Sequence, residues 1–252
     1  MTRQVAKYWT LAGTSIMLAF TSTPAPASVV LLGTRVIYSA DARDATIAAE
    51  NKGDTPVLVQ TWLDDGDSRS TPEDSKAPYL LNPPLFRLDP GHTQSLRLIH
   101  TQSSLPQDRE SLHWLNVLSI PPETTDAPHD RNVLRLLMRS RIKVFYRPKG
   151  LAGKAEDAAA LVQWSYTTNE AGKPVLRAKN PTAYHVTFIG LRADVDGQPH
   201  DVVVKDMVAP GGTMDVPLTG APATGRTTKV VGFSFINDQG GVVEGQISNR
   251  RD

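Results

Sequence analysis

Two cations stand where a β-strand usually carries apolar or neutral side chains. Arg35 lies in Gly33-Thr-Arg-Val-Ile-Tyr38, and Lys143 is flanked by Ile142 and Val144. A cation among apolar strand residues either snorkels to water or meets an anion. On composition alone, snorkelling is the simpler reading of Lys143. The other groups able to do chemistry are dispersed. His92, His100, His113, His129, His185 and His200 include no i,i+4 pair and no H-E-x-x-H, so they read as strand or surface histidines. Asp64-Asp65-Gly66-Asp67 and Asp194-Val195-Asp196-Gly197 lack the twelve-residue spacing of a calcium loop and read as polar turns. There is no G-x-S-x-G elbow and no phosphate-binding glycine loop. The expectation is therefore no catalytic residue, no metal site and no cofactor.

Lys143 belongs to an unusual run. Asn132 to Pro148 reads Asn-Val-Leu-Arg-Leu-Leu-Met-Arg-Ser-Arg-Ile-Lys-Val-Phe-Tyr-Arg-Pro, and its alternation predicts one long strand over Val133–Tyr146, beyond the usual five or six residues. Leu134, Leu136 and Met138 share one face, while Arg135, Arg139, Arg141 and Lys143 supply a charged register beside them. Such a strand at a sheet edge is open to pairing with another chain, either as a liability or as a binding mode.

The elements around it are short and β-like. Residues 1–27 read as a secretory signal: Arg3 and Lys7 are basic, Trp9 to Phe20 is apolar but too short to span a bilayer, and Ala25-Pro26-Ala27 fits a cleavage site. An exported, periplasmic mature chain without membrane insertion is expected. Of 27 basic residues, the loss of Arg3 and Lys7 leaves 25 against 26 acidic, a balance that does not favour nucleic acid as partner. With no cysteine, neither a disulfide framework nor a thiolate metal site can form, so the stability must come from apolar cores. The length suits two domains.

Strands are predicted at Val29–Leu32, Thr34–Tyr38, Thr46–Asn51, Val57–Asp64, Gln94–His100 and Leu112–Ile120 before the long run. A linker-like Lys149-Gly-Leu-Ala-Gly-Lys154 follows. A second series covers Val162–Tyr166, Val175–Ala178, Val186–Leu191, Val202–Asp206, Thr213–Val216, Lys229–Ile236 and Val242–Gln246, with one short helix at Ala155–Leu161. Asp196-Gly197 and Asp238-Gln239-Gly240-Gly241 are turns between strands. Six or seven short strands per unit argue for an all-β protein of two β-sandwich domains, 28–148 and 149–252.

At these residues the chain resembles the periplasmic pilus chaperones of the chaperone–usher pathway, the PapD-like family. The resemblance rests on ordered segments: Thr34-Arg-Val-Ile-Tyr38, Asn82-Pro-Pro-Leu-Phe-Arg-Leu-Asp-Pro-Gly91, Leu105-Pro-Gln-Asp-Arg-Glu-Ser-Leu112, Asn116, Ile120-Pro-Pro122 and Arg141-Ile-Lys-Val-Phe-Tyr-Arg-Pro148. The second half adds Asn180-Pro-Thr-Ala-Tyr184, Val186-Thr-Phe-Ile-Gly190 and Ile236-Asn-Asp-Gln-Gly-Gly241. The resemblance implies two immunoglobulin-like sandwiches set at an angle around a cleft, and no enzymatic reaction. It implies a chaperone that lends a strand to incomplete pilus subunits and delivers them to an outer-membrane usher. By resemblance, Leu134, Leu136 and Met138 would fill the subunit groove, and Arg35 and Lys143 would anchor the subunit's C-terminal carboxylate. Glu110, Arg147 and Asp238 would form a charged cluster between the domains. That reading reverses the snorkelling assignment of Lys143.

The chain departs from the pattern in lacking the cysteine pair that some members carry in the second domain. Its short connection from Pro122 to Val133 resembles the short-loop branch, associated with rod-like pili. The competing expectations are a secreted two-sandwich binding module, carbohydrate-binding or adhesin-like, and a sandwich enzyme. The module should expose an aromatic platform, whereas Trp62, Trp114 and Trp164 all fall inside strand patterns.

Overall fold

The computed structural model describes residues 29–101, 104–123, 136–220 and 228–246. The signal segment and Leu134 lie outside the described residues. The first half carries β1 (Val29–Leu31), β2 (Arg35–Ser39), β3 (Ala45–Asn51), β4 (Val57–Asp64), β5 (Tyr79–Asn82), β6 (Leu85–Leu88), β7 (Thr93–His100), β8 (Ser111–Ile120) and β9 (Met138–Arg147). They form two sheets, in the orders β1-β3-β7-β5 and β2-β9-β8-β4-β6. The second half carries helix α1 (Ala155–Leu161), then β10 (Gln163–Thr168), β11 (Pro174–Lys179), β12 (Val186–Val195), β13 (Gln198–Val208), β14 (Thr213–Pro217), β15 (Thr228–Ile236) and β16 (Val242–Gln246). Its sheets run β10-β11-β14 and β13-β12-β15-β16.

Period-two alternation decides what each strand buries. In β4, Val57, Val59 and Leu63 point into the first core, while Leu58 and Gln60 face outward. Leu96 and Leu98 of β7 and Ala49 of β3 meet Leu115 and Val117 of β8 and Val144 of β9 in that same core, all essentially without solvent exposure. A fully buried Val or Leu contributes about 1.5–3 kcal/mol, and the chain has no cysteine with which to add a disulfide. The second core is separate: Leu176, Phe188, Val195 and Val208 are fully buried there, and Ala158 and Ala159 of α1 close one end.

Two elements differ from the sequence reading. The strands β5 and β6 were not expected, because Pro83-Pro84 breaks a short run into two pieces. The predicted strand Val133–Tyr146 is shorter: β9 begins at Met138, and Leu136 and Leu137 are exposed and outside any strand. The reason is the partner. Met138, the first residue of β9, pairs with Ser119, and β8 ends one residue later before Pro121-Pro122. The alternation runs on through Leu136, but Leu136 and Leu137 have no mate on β8, and residues 133–135 lie outside the described residues.

Candidate functional site

β2 is short and runs parallel to β9, with Arg35 beside Lys143 and Ser39 beside Arg147. Every other strand pairing among the described residues is antiparallel. This register brings together two cations that are 108 positions apart in sequence. Because β2 begins opposite Lys143, residues 138–142 of β9 pair, among the described residues, with β8 on one side only. Half of β9 is thus an open sheet edge, and Met138 and Leu136 at its start are exposed.

Arg35 and Lys143 face the second domain. Arg35 donates from Nη1 to the Ile236 carbonyl at 3.1 Å, and its guanidinium lies 5.5 Å from the Phe145 ring centroid. Its Nε is buried and has no hydrogen-bond partner among the described residues. Lys143 Nζ reaches Thr187 Oγ1 at 3.4 Å and sits 5.6 Å from the Trp114 ring centroid. Among the described residues neither cation forms an ion pair with a carboxylate. Burial pushes the Arg35 guanidinium pKa down, opposed by the more distant charges of Asp238 and Glu110. The Lys143 ammonium is also pushed down, by burial first and by Arg35 second, with Asp206 opposing. Two partly buried cations side by side disfavour each other and favour an anion between them.

The structure also brings Glu110, Arg147 and Asp238 together. Arg147 donates from Nε to Glu110 Oε1 at 2.8 Å, and from Nη1 and Nη2 to the two oxygens of Asp238 at 2.6 and 2.9 Å. The other Glu110 oxygen accepts from the His185 backbone N–H at 2.8 Å, and the Glu110 N–H donates to the Ala183 carbonyl at 2.9 Å. Glu110 is therefore fastened to the second domain by both backbone and side chain. Asp238 is delivered by the β15–β16 turn. A Cβ at Gly240 of that turn would stand 2.3 Å from Thr34 Oγ1, and its φ of +83° also favours glycine. Glycine there lets the turn close on the first domain.

One buried group was missed from sequence. Asp64, read as part of a polar turn, is only 3% exposed and accepts both Arg141 Nη2 at 2.5 Å and Asn116 Nδ2 at 2.7 Å. Only the Asp65-Gly66-Asp67 portion turns. Trp62 is buried and Trp164 packs against the second core, but Trp114 does not belong to the first core: Arg141 stacks on it, 4.2 Å from Cζ to the ring centroid. Its face is covered by Arg141 and Lys143, unlike a carbohydrate platform.

Residues 28–152 match the pili and flagellar-assembly chaperone family, PapD N-terminal domain, and residues 157–247 match the pili assembly chaperone PapD, C-terminal domain. The chain belongs to the pilus-assembly chaperone family. This chaperone is 40% identical over 230 residues to the probable fimbrial chaperone YadV of Escherichia coli (strain K12), spanning 90% of this chain and 92% of the relative. It is 40% identical to the chaperone protein FimB/FhaD of Bordetella pertussis over 90% of each chain. The solved YadV chaperone aligns with a TM-score of 0.72 at 37% identity, covering 86% of this chaperone and 98% of that chain. A solved complex of the Salmonella enterica SafA pilin with the SafB chaperone gives a TM-score of 0.69 at 29% identity, covering 87% and 96%.

Proposed function

We propose that this chaperone captures incomplete pilus subunits in the periplasm by lending them the open edge of β9, then delivers them to an outer-membrane usher. The observation that carries the reading is the junction at Lys143. There a half-unpaired strand edge meets two neighbouring cations that lack a carboxylate partner among the described residues. Leu136 and Met138, with Leu134 upstream, would enter the subunit's apolar groove, each large side chain contributing about 1.5–3 kcal/mol on burial. Main-chain bonds along 138–142 would continue the ladder into the subunit. Arg35 and Lys143 would receive the subunit's C-terminal carboxylate and so fix where the register starts. Glu110, Arg147 and Asp238 would hold the angle between domain 28–148 and domain 149–252. The function requires no reaction, and residues 1–27 would be removed on export.

The test is purification of the tagged full chain from a periplasmic extract of cells producing the pilus. A pilin-sized partner that aggregates when separated from the chaperone is the expected result. Recovery of the chaperone with no such partner, under conditions where pili assemble, would contradict the reading.

A further inference from the structure

Among the described residues, 138–142 of β9 have a partner strand on one side only, β8, and side chains add to what that ladder holds. On one face, Ile142 packs against the first core, and Ser140, two residues upstream, is exposed. On the other, Arg139 and Arg141 reach back over β8 to β4. Arg141 grips both oxygens of Asp64, at 2.5 and 3.2 Å, and stacks on Trp114. Arg139 donates to Asn116 Oδ1 from Nε and Nη2 at 3.0 and 2.7 Å, and lies 4.7 Å over the Trp62 ring. Asn116, fully buried, passes its own Nδ2 hydrogen to Asp64 at 2.7 Å. Asp64 is thus the anion on which both arginines converge, Arg141 through two hydrogen bonds and Arg139 both through Asn116 and as an ion pair at 3.8 Å. It is anchored from the far side by the Gly66 N–H at 2.7 Å.

We infer that Asp64 is a positioning residue for subunit capture. Through Arg141 and Asn116 it holds residues 138–142 in extended register before any partner strand arrives. This rests on the proposed lending of the β9 edge. Its consequence is kinetic. Where only a fraction of molecules holds the binding-competent strand, apparent affinity falls by that fraction. Loss of Asp64's charge should therefore slow association rather than speed dissociation, because the finished complex supplies the missing ladder itself.

The experiment uses full-length Asp64→Asn, which keeps the side chain's shape, and Arg141→Met, which reaches the same lattice from the exposed end. Arg177→Met, breaking the exposed Arg177–Asp215 pair of the second domain, is the control. In the free chaperone, hydrogen exchange over 138–142 should quicken about tenfold or more in both test variants, while core residues 57–63 and 112–117 keep wild-type protection. The binding probe is the subunit that co-purifies with wild type, released in urea and diluted onto each variant. Its association should slow about tenfold, with dissociation within about twofold of wild type. If Asp64→Asn does not fold, Arg141→Met alone carries the test. Unchanged exchange at 138–142, or loosening of β4 and β8 to the same degree, would overturn the positioning role. So would unaltered association despite faster exchange. Should wild type itself bind no subunit, the chaperone reading fails and the capture role falls with it, while the exchange result still decides whether Asp64 orders the strand.

Discussion

Arg147 holds both oxygens of Asp238 with its two terminal nitrogens, at 2.6 and 2.9 Å, while its Nε serves Glu110 from the same guanidinium. One planar fork thereby ties the last residue of β9 to a turn 91 positions away in the other domain. Lysine could not make this three-point contact, because it offers a point charge rather than a fork.

Arg147→Ala would leave the Glu110 carboxylate, 2% exposed at its side chain, without its counter-charge. Removal of one partner from a buried pair costs about 3–5 kcal/mol. The lower end applies here, because Glu110 keeps the His185 N–H and Asp238 is one-third exposed. Calorimetry should show melting lowered by roughly 6–12 °C, with cleavage by added protease concentrated at 149–154. Asp238→Asn should cost much less. Equal losses in the two variants would remove Glu110 from the account.

Lys143 is a cost to the free chaperone. Its depressed pKa means that the unfolded chain holds the proton more tightly, so the charged ammonium weakens the fold at neutral pH. Lys143→Met is therefore expected to melt no lower than wild type, yet to lose subunit capture by about 30-fold or more, as for one member of a buried charge pair. Arg35→Ala should lose capture similarly. Thermal melts beside pull-downs check this; a variant that is less stable but captures normally would make Lys143 a structural residue.

Leu136→Glu should abolish capture, because a carboxylate would enter an apolar groove unpartnered. The control is Val203→Glu, a still more exposed apolar position on the second domain, at 76% against 64% for Leu136. Pull-down of the co-purifying subunit should separate the two. Parallel losses would show that general surface apolarity, not this strand, recruits the subunit.

The first domain should loosen in mild acid. His113 is buried beside Tyr79, with Asp64, Asp65 and His100 also acting on it; burial pushes its pKa down, as burial does for His100. The unfolded chain takes protons below the ordinary histidine value of 6.5 and the folded chain resists. Stability is thus fully present above that pH and falls as pH drops through the window beneath it. Melting followed from pH 7.5 to 5 should show the decline, and His113→Gln should flatten it. A slope that is the same in the variant would place the proton uptake elsewhere.

Most strand cores were legible because alternation survives in single strands such as Val57–Asp64 and Leu112–Ile120. What failed was whatever depends on a partner. Leu136 and Leu137 fit the strand run as well as the rest, but β8 stops at Ile120 and leaves them without a mate. Asp64 looked like a turn residue because its partners Asn116 and Arg141 lie 52 and 77 positions away. Arg35, Lys143, Glu110, Arg147 and Asp238 were reached through family resemblance; taken alone, the residues favoured a solvated Lys143. The parallel β2–β9 register that joins Arg35 to Lys143 has no local signature at all.

The most direct measurement is a crystal structure of the chaperone bound to the subunit it carries from the periplasm. The account predicts a subunit strand paired along residues 138–142, and Leu136 and Met138 inside the subunit's groove. It also predicts the subunit's terminal carboxylate within about 3 Å of Arg35 and Lys143. A subunit seated elsewhere, such as the exposed edge of β16, with Arg35 and Lys143 left facing no carboxylate, would contradict it.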